Sequence, residues 1–156
     1  MPPWVDPLLS EKLPVLRAQG EGLRLEFKEE LPKNTSDLAK EIAALATTEG
    51  GTILLGVSDE GDLRGMAESD SPKGRDEWMQ RIEGIASQSV KPAVRVRASW
   101  AVEDDLAVLV IVVPKGTRPV YYANGKPYLR VGARSRPAEP HEVEDLVREH
   151  LGVEKQ

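Results

Sequence analysis

The sequence contains no cysteine, which removes disulfides and thiolate metal ligands and suits a reducing compartment. Only two histidines are present, His141 and His150, so no histidine-rich zinc site is available. The longest apolar run is the eight residues Leu106–Val113, less than half of the about 20 that a membrane helix needs, and no membrane partner is expected. Met1–Pro7 carries prolines and an acid where a secretory signal would carry a basic flank and an apolar core, so the expected location is cytoplasmic.

What is present is the composition of a globular chain. The 156 residues are 40% hydrophobic and 30% charged, which suits one domain rather than a disordered segment. The net charge of -5 is unevenly spread. Residues 91–136 hold nine Lys/Arg against three acids, a local balance of +6, whereas the chain from Pro137 onward holds six acids against Arg148 and Lys155. A basic region is thus followed by an acidic element able to cover it or compete for it.

Periodicity divides the chain into alternating elements. Residues 1–19, with four prolines, read as an extended arm ending at most in a short helix. Leu23, Leu25 and Phe27 alternate with Arg24, Glu26 and Lys28, a strand with one polar face. After a loop containing Pro32, Ser36 caps a helix whose stripe is Leu38, Ile42, Leu45 and Ala46, ending at Gly50–Gly51. Thr52–Val57 is a buried strand, and Ser58–Gly61 is a turn. Helices are expected over 75–87 and 139–151, and strands over 94–98, 106–113 and 128–131, the first two of these strands forming a hairpin. The expected fold class is α/β (α+β), with a single mixed sheet and packed helices over residues 20–151, and a tail from 152 to 156.

Two blocks carry a more specific signal. Glu21-Gly-Leu-Arg-Leu-Glu-Phe-Lys-Glu29 is followed by Thr47-Thr-Glu-Gly-Gly-Thr-Ile-Leu-Leu-Gly-Val-Ser-Asp-Glu-Gly61, and downstream come Arg118-Pro-Val-Tyr121, Gly125 and Tyr128-Leu-Arg-Val-Gly132. In this order they closely resemble the Schlafen-type Alba family. The resemblance implies a nucleic-acid-binding domain, with DNA or RNA as partner, and a homodimer that builds a positive groove from two copies. In vertebrate Schlafen proteins a related domain is an RNA endonuclease with three acids. By that resemblance Glu21, Glu26 and Asp59 would be the acids, holding Mg²⁺ or Mn²⁺, with Lys28 beside Glu26 to stabilise developing charge. Binding alone would need no cofactor.

The residues themselves support a second site. Arg118, Lys126, Arg130, Arg134 and Arg136 have no acid between them, and Tyr128 lies among them, the combination that phosphate and unpaired bases require. Arg130 alternates with Leu129 and Val131 and is expected to point away from the core. Thr47 and Thr48 are candidates to offer hydroxyls to a ligand. Three functions stay open here: a nucleic-acid-binding module, a metal-dependent endoribonuclease, and an interaction or scaffold protein without catalysis.

Overall fold

The structure, a computed structural model, describes residues 1–31 and 35–152. Pro32, and the tail beyond Gly152, lie outside the described residues. In chain order the elements are α1 (Pro7–Gln19), β1 (Leu25–Lys28), α2 (Ser36–Thr47), β2 (Gly51–Leu55), α3 (Pro72–Gly84), β3 (Val90–Lys91), β4 (Arg97–Glu103), β5 (Leu106–Val113), β6 (Tyr121–Ala123), β7 (Lys126–Val131), β8 (Arg134–Pro137) and α4 (Pro140–Leu151). A π-helical turn, Ile85–Ser89, prolongs α3.

The α+β class holds, but the strands form two sheets rather than one. The first, in the order β1-β2-β5-β4, is the expected mixed sheet: β1 and β2 are parallel, and the other pairs are antiparallel. The second, β3-β6-β7-β8, is wholly antiparallel and comes mainly from the late segment. Its strands are short and interrupted by proline and glycine, so no apolar run announces them.

Helix α2 lies between the sheets. That position explains a helix buried almost all round: Leu38, Ala39 and every residue from Glu41 to Thr47 are buried, and four alanines let both sheets approach closely. Ile53, Leu55, Leu109 and Ile111 of the first sheet share a core with α2, Tyr121 and Tyr128. The opposite face of that sheet, with Leu25, Phe27, Leu54 and Val108, packs on Leu13 of α1.

Residues 7–19, read from their prolines as part of an arm, are helical. Asp6 caps α1 by accepting from the Leu9 amide at 3.0 Å, Pro7 occupies the tolerant first turn, and Pro14 is accommodated inside. Arg17 then ties α1 to Glu103 and donates to the Gly61 carbonyl at 2.8 Å. Among the described residues no helix is long and apolar enough to cross a membrane.

Gly50 and Gly51 mark the close approach at the end of α2. Gly50 has φ +74°, and a Cβ there would lie 2.6 Å from the Lys115 amide nitrogen; one on Gly51 would lie 2.6 Å from the Arg24 carbonyl oxygen. What passes so near the turn is the chain's own backbone.

Candidate nucleic-acid interface

Strand β1 turns Leu25 and Phe27 toward α1, which leaves Glu26 and Lys28 facing α2. Since α2 covers that face, Glu26 is buried, at 6% exposure, rather than solvated. Glu41, also buried, meets it from α2. The cation between them is Arg130 of β7, whose side chain is 0% exposed. Its Nη1 donates to Glu26 Oε1 at 2.8 Å, to Ser135 Oγ at 3.1 Å and to Glu41 Oε2 at 3.5 Å. Its Nε and Nη2 donate to the Gly22 carbonyl, and Nη2 also to the Leu25 carbonyl at 3.0 Å. One guanidinium therefore joins both sheets and the helix between them, using the fork of donors that lysine lacks.

Electrostatics follow from that enclosure. Burial, together with hydrogen bonds to the Glu21 and Glu41 carboxyls, pushes the Glu26 carboxyl up to about 9, against the pull of Arg130. Glu21 lies at the rim of the cluster, accepting from the Phe27 amide at 3.0 Å. Burial alone would lower the Lys28 ammonium; its hydrogen bond to Asp37 and the nearby Glu41 and Glu26 carboxylates more than offset this and leave it raised.

Asp59 does not join this group. It is exposed in the Ser58–Gly61 turn, which Arg17 ties to α1, and a Cβ on Gly61 would sit 3.7 Å from the Phe27 ring. The turn thus closes over the α1 face of the first sheet, whereas Glu26 and Lys28 occupy the α2 face. Among the described residues no group of three or more His, Asp or Glu side chains is arranged to hold a metal ion. Of the expected Glu21, Glu26 and Asp59 set, Glu21 accepts from the Phe27 amide, Glu26 is buried against Arg130 and Asp59 stands in an exposed turn, so the three do not form one ligand group for Mg²⁺ or Mn²⁺.

The basic set divides by burial. Arg130, expected to face outward, is internal, and Tyr128, expected to stack on a base, is 7% exposed in the core. Strand β7 runs in the opposite phase to the expected one: Tyr128 and Arg130 face α2, while Leu129 is half-buried and Val131 is exposed. Arg136 forms a two-pronged pair with Glu142 of α4, with both N···O distances 2.8 Å. Arg118, Lys126 and Arg134 are exposed, and none forms an ion pair among the described residues. Lys126 and Arg134 flank β7 at its two ends, roughly 17 Å apart at ~3.3 Å per residue.

The sequence matches the Schlafen, AlbA_2 family over residues 21–139. The chain belongs to that family. Among solved structures, this Schlafen, AlbA_2 domain is similar to the DIP2311 protein of Corynebacterium diphtheriae, with a TM-score of 0.60 and 22% identity over 92% of this chain and 28% of that one. It is also similar to the N-terminal domain of a RecG-related ATP-dependent DNA helicase protein from Nitrosomonas europaea, with a TM-score of 0.52 and 21% identity over 85% of this chain and 95% of that one. Both likenesses concern the fold. The chain spans under a third of the length of the Corynebacterium protein. No curated protein matches it.

Within this Schlafen, AlbA_2 domain the two threonines that end α2 serve the second sheet. Thr47 Oγ1 donates to the Ala43 carbonyl and accepts from the Tyr121 amide, both at 2.9 Å, and Thr48 Oγ1 accepts from the Arg130 amide at 2.9 Å. Their hydroxyls are therefore used in joining α2 to β6 and β7, not held out to a ligand. Sequence reasoning missed Glu41 and Asp37. The signal was there: positions 37, 41 and 45 share one helical face, and Leu45 on that face is core.

Proposed function

We propose that this domain is a nucleic-acid-binding module whose contact surface is the exposed part of the late segment. The observation that carries the reading is the fate of its cations: once Arg130 and Arg136 are engaged internally, Lys115, Arg118, Lys126 and Arg134 remain exposed on a stretch, residues 106–138, that contains no acid. Phosphate contacts need such groups, and they position a backbone without reading bases. Tyr122, 37% exposed on β6, supplies the aromatic surface in place of Tyr128. Family membership and the helicase-related neighbour point in the same direction. Four cations are few for one chain, against the about six to ten phosphate contacts of a strongly salt-dependent DNA binder. Two copies forming a shared groove would double the number, so the homodimer belongs to this proposal.

The test is binding of a fluorescent RNA 20-mer and the matched DNA across a salt series, comparing the parent with Arg118→Ala, Lys126→Ala and Arg134→Ala combined. The triple variant should fold like the parent and bind more weakly, with the salt slope reduced by about 0.7 for each single-strand phosphate that is no longer neutralised. A folded triple variant with unchanged affinity and slope would reject this surface and favour the interaction-protein reading.

A further inference from the structure

Helix α4 begins at Pro140, immediately after the family match ends at residue 139. It is amphipathic, yet none of its residues is fully buried: Val143 and Leu146 are half-buried, Val147 is 37% exposed and Leu151 68%. Twelve residues are marginal as an isolated helix in water, so α4 depends on what it rests upon.

It rests on the basic late segment. Cross-strand pairing of Leu129 with Arg136 places both on the face of the second sheet away from α2, and there Arg136 grips Glu142. The same carboxylate accepts from the Glu139 amide at 2.9 Å and so closes the capping box that starts the helix. One turn of helix and one ion pair thus share a single side chain. At its other end α4 forms one wall of a cavity of about 400 Å³, where Leu146, Glu149 and His150 face Lys115, Arg118 and Leu129. Arg136 is thus paired with a carboxylate at the start of α4, and at the other end Glu149 lines the same cavity as Lys115 and Arg118, together with Glu49.

We infer that α4 is an acidic cover lying where a nucleic-acid backbone would lie, and that binding displaces it. This rests on the nucleic-acid reading above and adds its regulation. Phosphate oxygens replace the Glu142 carboxylate on Arg136; with Glu142 released, the capping box opens and the helix frays from its start. Displacement also opens the cavity that the already exposed Lys115 and Arg118 help to line. The opened domain holds one further phosphate, at Arg136, that the covered domain does not.

The experiment uses the full chain and the fluorescent RNA 20-mer, with Glu142→Gln, which removes the charge on Arg136 while its amide can still close the capping box, as the electrostatically opened form. Glu144→Gln, on an exposed position of α4, removes the same charge without touching Arg136 and serves as the control. Glu142→Gln should bind about two- to fivefold tighter than the parent, the range of a partly exposed ion pair, and Glu144→Gln should change affinity less. Hydrogen exchange of α4 amides in the parent should speed up when RNA is added. If the parent binds RNA but both variants change affinity equally, or α4 exchange does not rise on binding, the cover is rejected while the binding module stands. If neither the parent nor the opened form binds, the nucleic-acid reading fails and the cover fails with it.

Discussion

Arg130 and Glu26 are 104 positions apart in sequence and 2.8 Å apart in space, the guanidinium of β7 meeting the carboxyl of β1 beside the buried helix α2. The contact joins the two sheets through groups that water does not reach.

The first prediction follows from that contact. Arg130→Ala leaves Glu26 and Glu41 buried with Lys28, 4.0 and 3.9 Å away, as the remaining cation, and removes the donors to the Gly22 and Leu25 carbonyls. Breaking a buried pair by deleting one partner costs about 3–5 kcal/mol, and a urea midpoint should show a loss of that order. Arg130→Lys should also be destabilising, because three donors on a flexible stem do not replace a planar fork. A variant with an unchanged midpoint and weakened RNA binding would return Arg130 to the surface role expected from sequence.

A second prediction concerns pH. In the unfolded chain Glu26 ionises near its ordinary 4.5; in the folded chain it does so at about 9. Between those values the native state holds a proton that the unfolded state has lost, so this group's contribution is full below 4.5 and disappears as pH rises through 9. Stability should fall between about pH 5 and 8 by on the order of 1 kcal/mol per pH unit. Glu142 and Asp37 are held below their ordinary values and act only at lower pH. Glu26→Gln should flatten the slope, as read from urea midpoints at several pH values; an equally steep slope in the variant would place the proton elsewhere.

Much of the first sheet was legible because its signals are local. Leu106–Val113 is a continuous apolar run, and the acidic turn before it marks a hairpin with β4, although the ladder starts at Arg97 rather than Val94. The second sheet was not legible as a sheet, since β6 and β8 are three and four residues long and carry no apolar alternation. The site errors share a cause. Leu129 and Val131 suggest an inward phase for β7, but the inward positions are Tyr128 and Arg130, and that phase is held by Glu26, Glu41 and the Gly22 and Leu25 carbonyls, all far away in sequence. Likewise, Glu26 was placed correctly on the face opposite Phe27; that α2 would cover this face is not written in β1.

Glycine positions give a third, paired prediction. Gly50→Ala forces a Cβ to 2.6 Å from one backbone atom and 2.8 Å from another at φ +74°, with no flexible side chain to yield. It should destabilise strongly and loosen the end of α2. Gly84, by contrast, has helical φ -62° and ψ -43°, and a Cβ there would meet nothing within 4 Å. Gly84→Ala should therefore stabilise by about 0.4–1 kcal/mol, chiefly by restricting the unfolded chain. Thermal melts of the two variants should move in opposite directions.

The last prediction separates Asp59 from the acidic cluster. If Glu21, Glu26 and Asp59 shared an ion, millimolar Mn²⁺ would stabilise the folded chain by mass action, and removing any one acid would abolish the effect. The structure leaves Asp59 exposed in its turn, while Glu26 is buried and bonded to Arg130. Mn²⁺ should accordingly leave the melting temperature unchanged. Asp59→Ala, which removes no partner in the cluster, should alter stability by no more than about 0.5 kcal/mol, the usual range for a surface change. Glu41→Ala, by contrast, should be clearly destabilising, because it takes a carboxylate from beside Arg130 and Lys28. A Mn²⁺-dependent rise in melting temperature that vanishes in both Asp59→Ala and Glu26→Gln would contradict this arrangement and bring back the three-acid site.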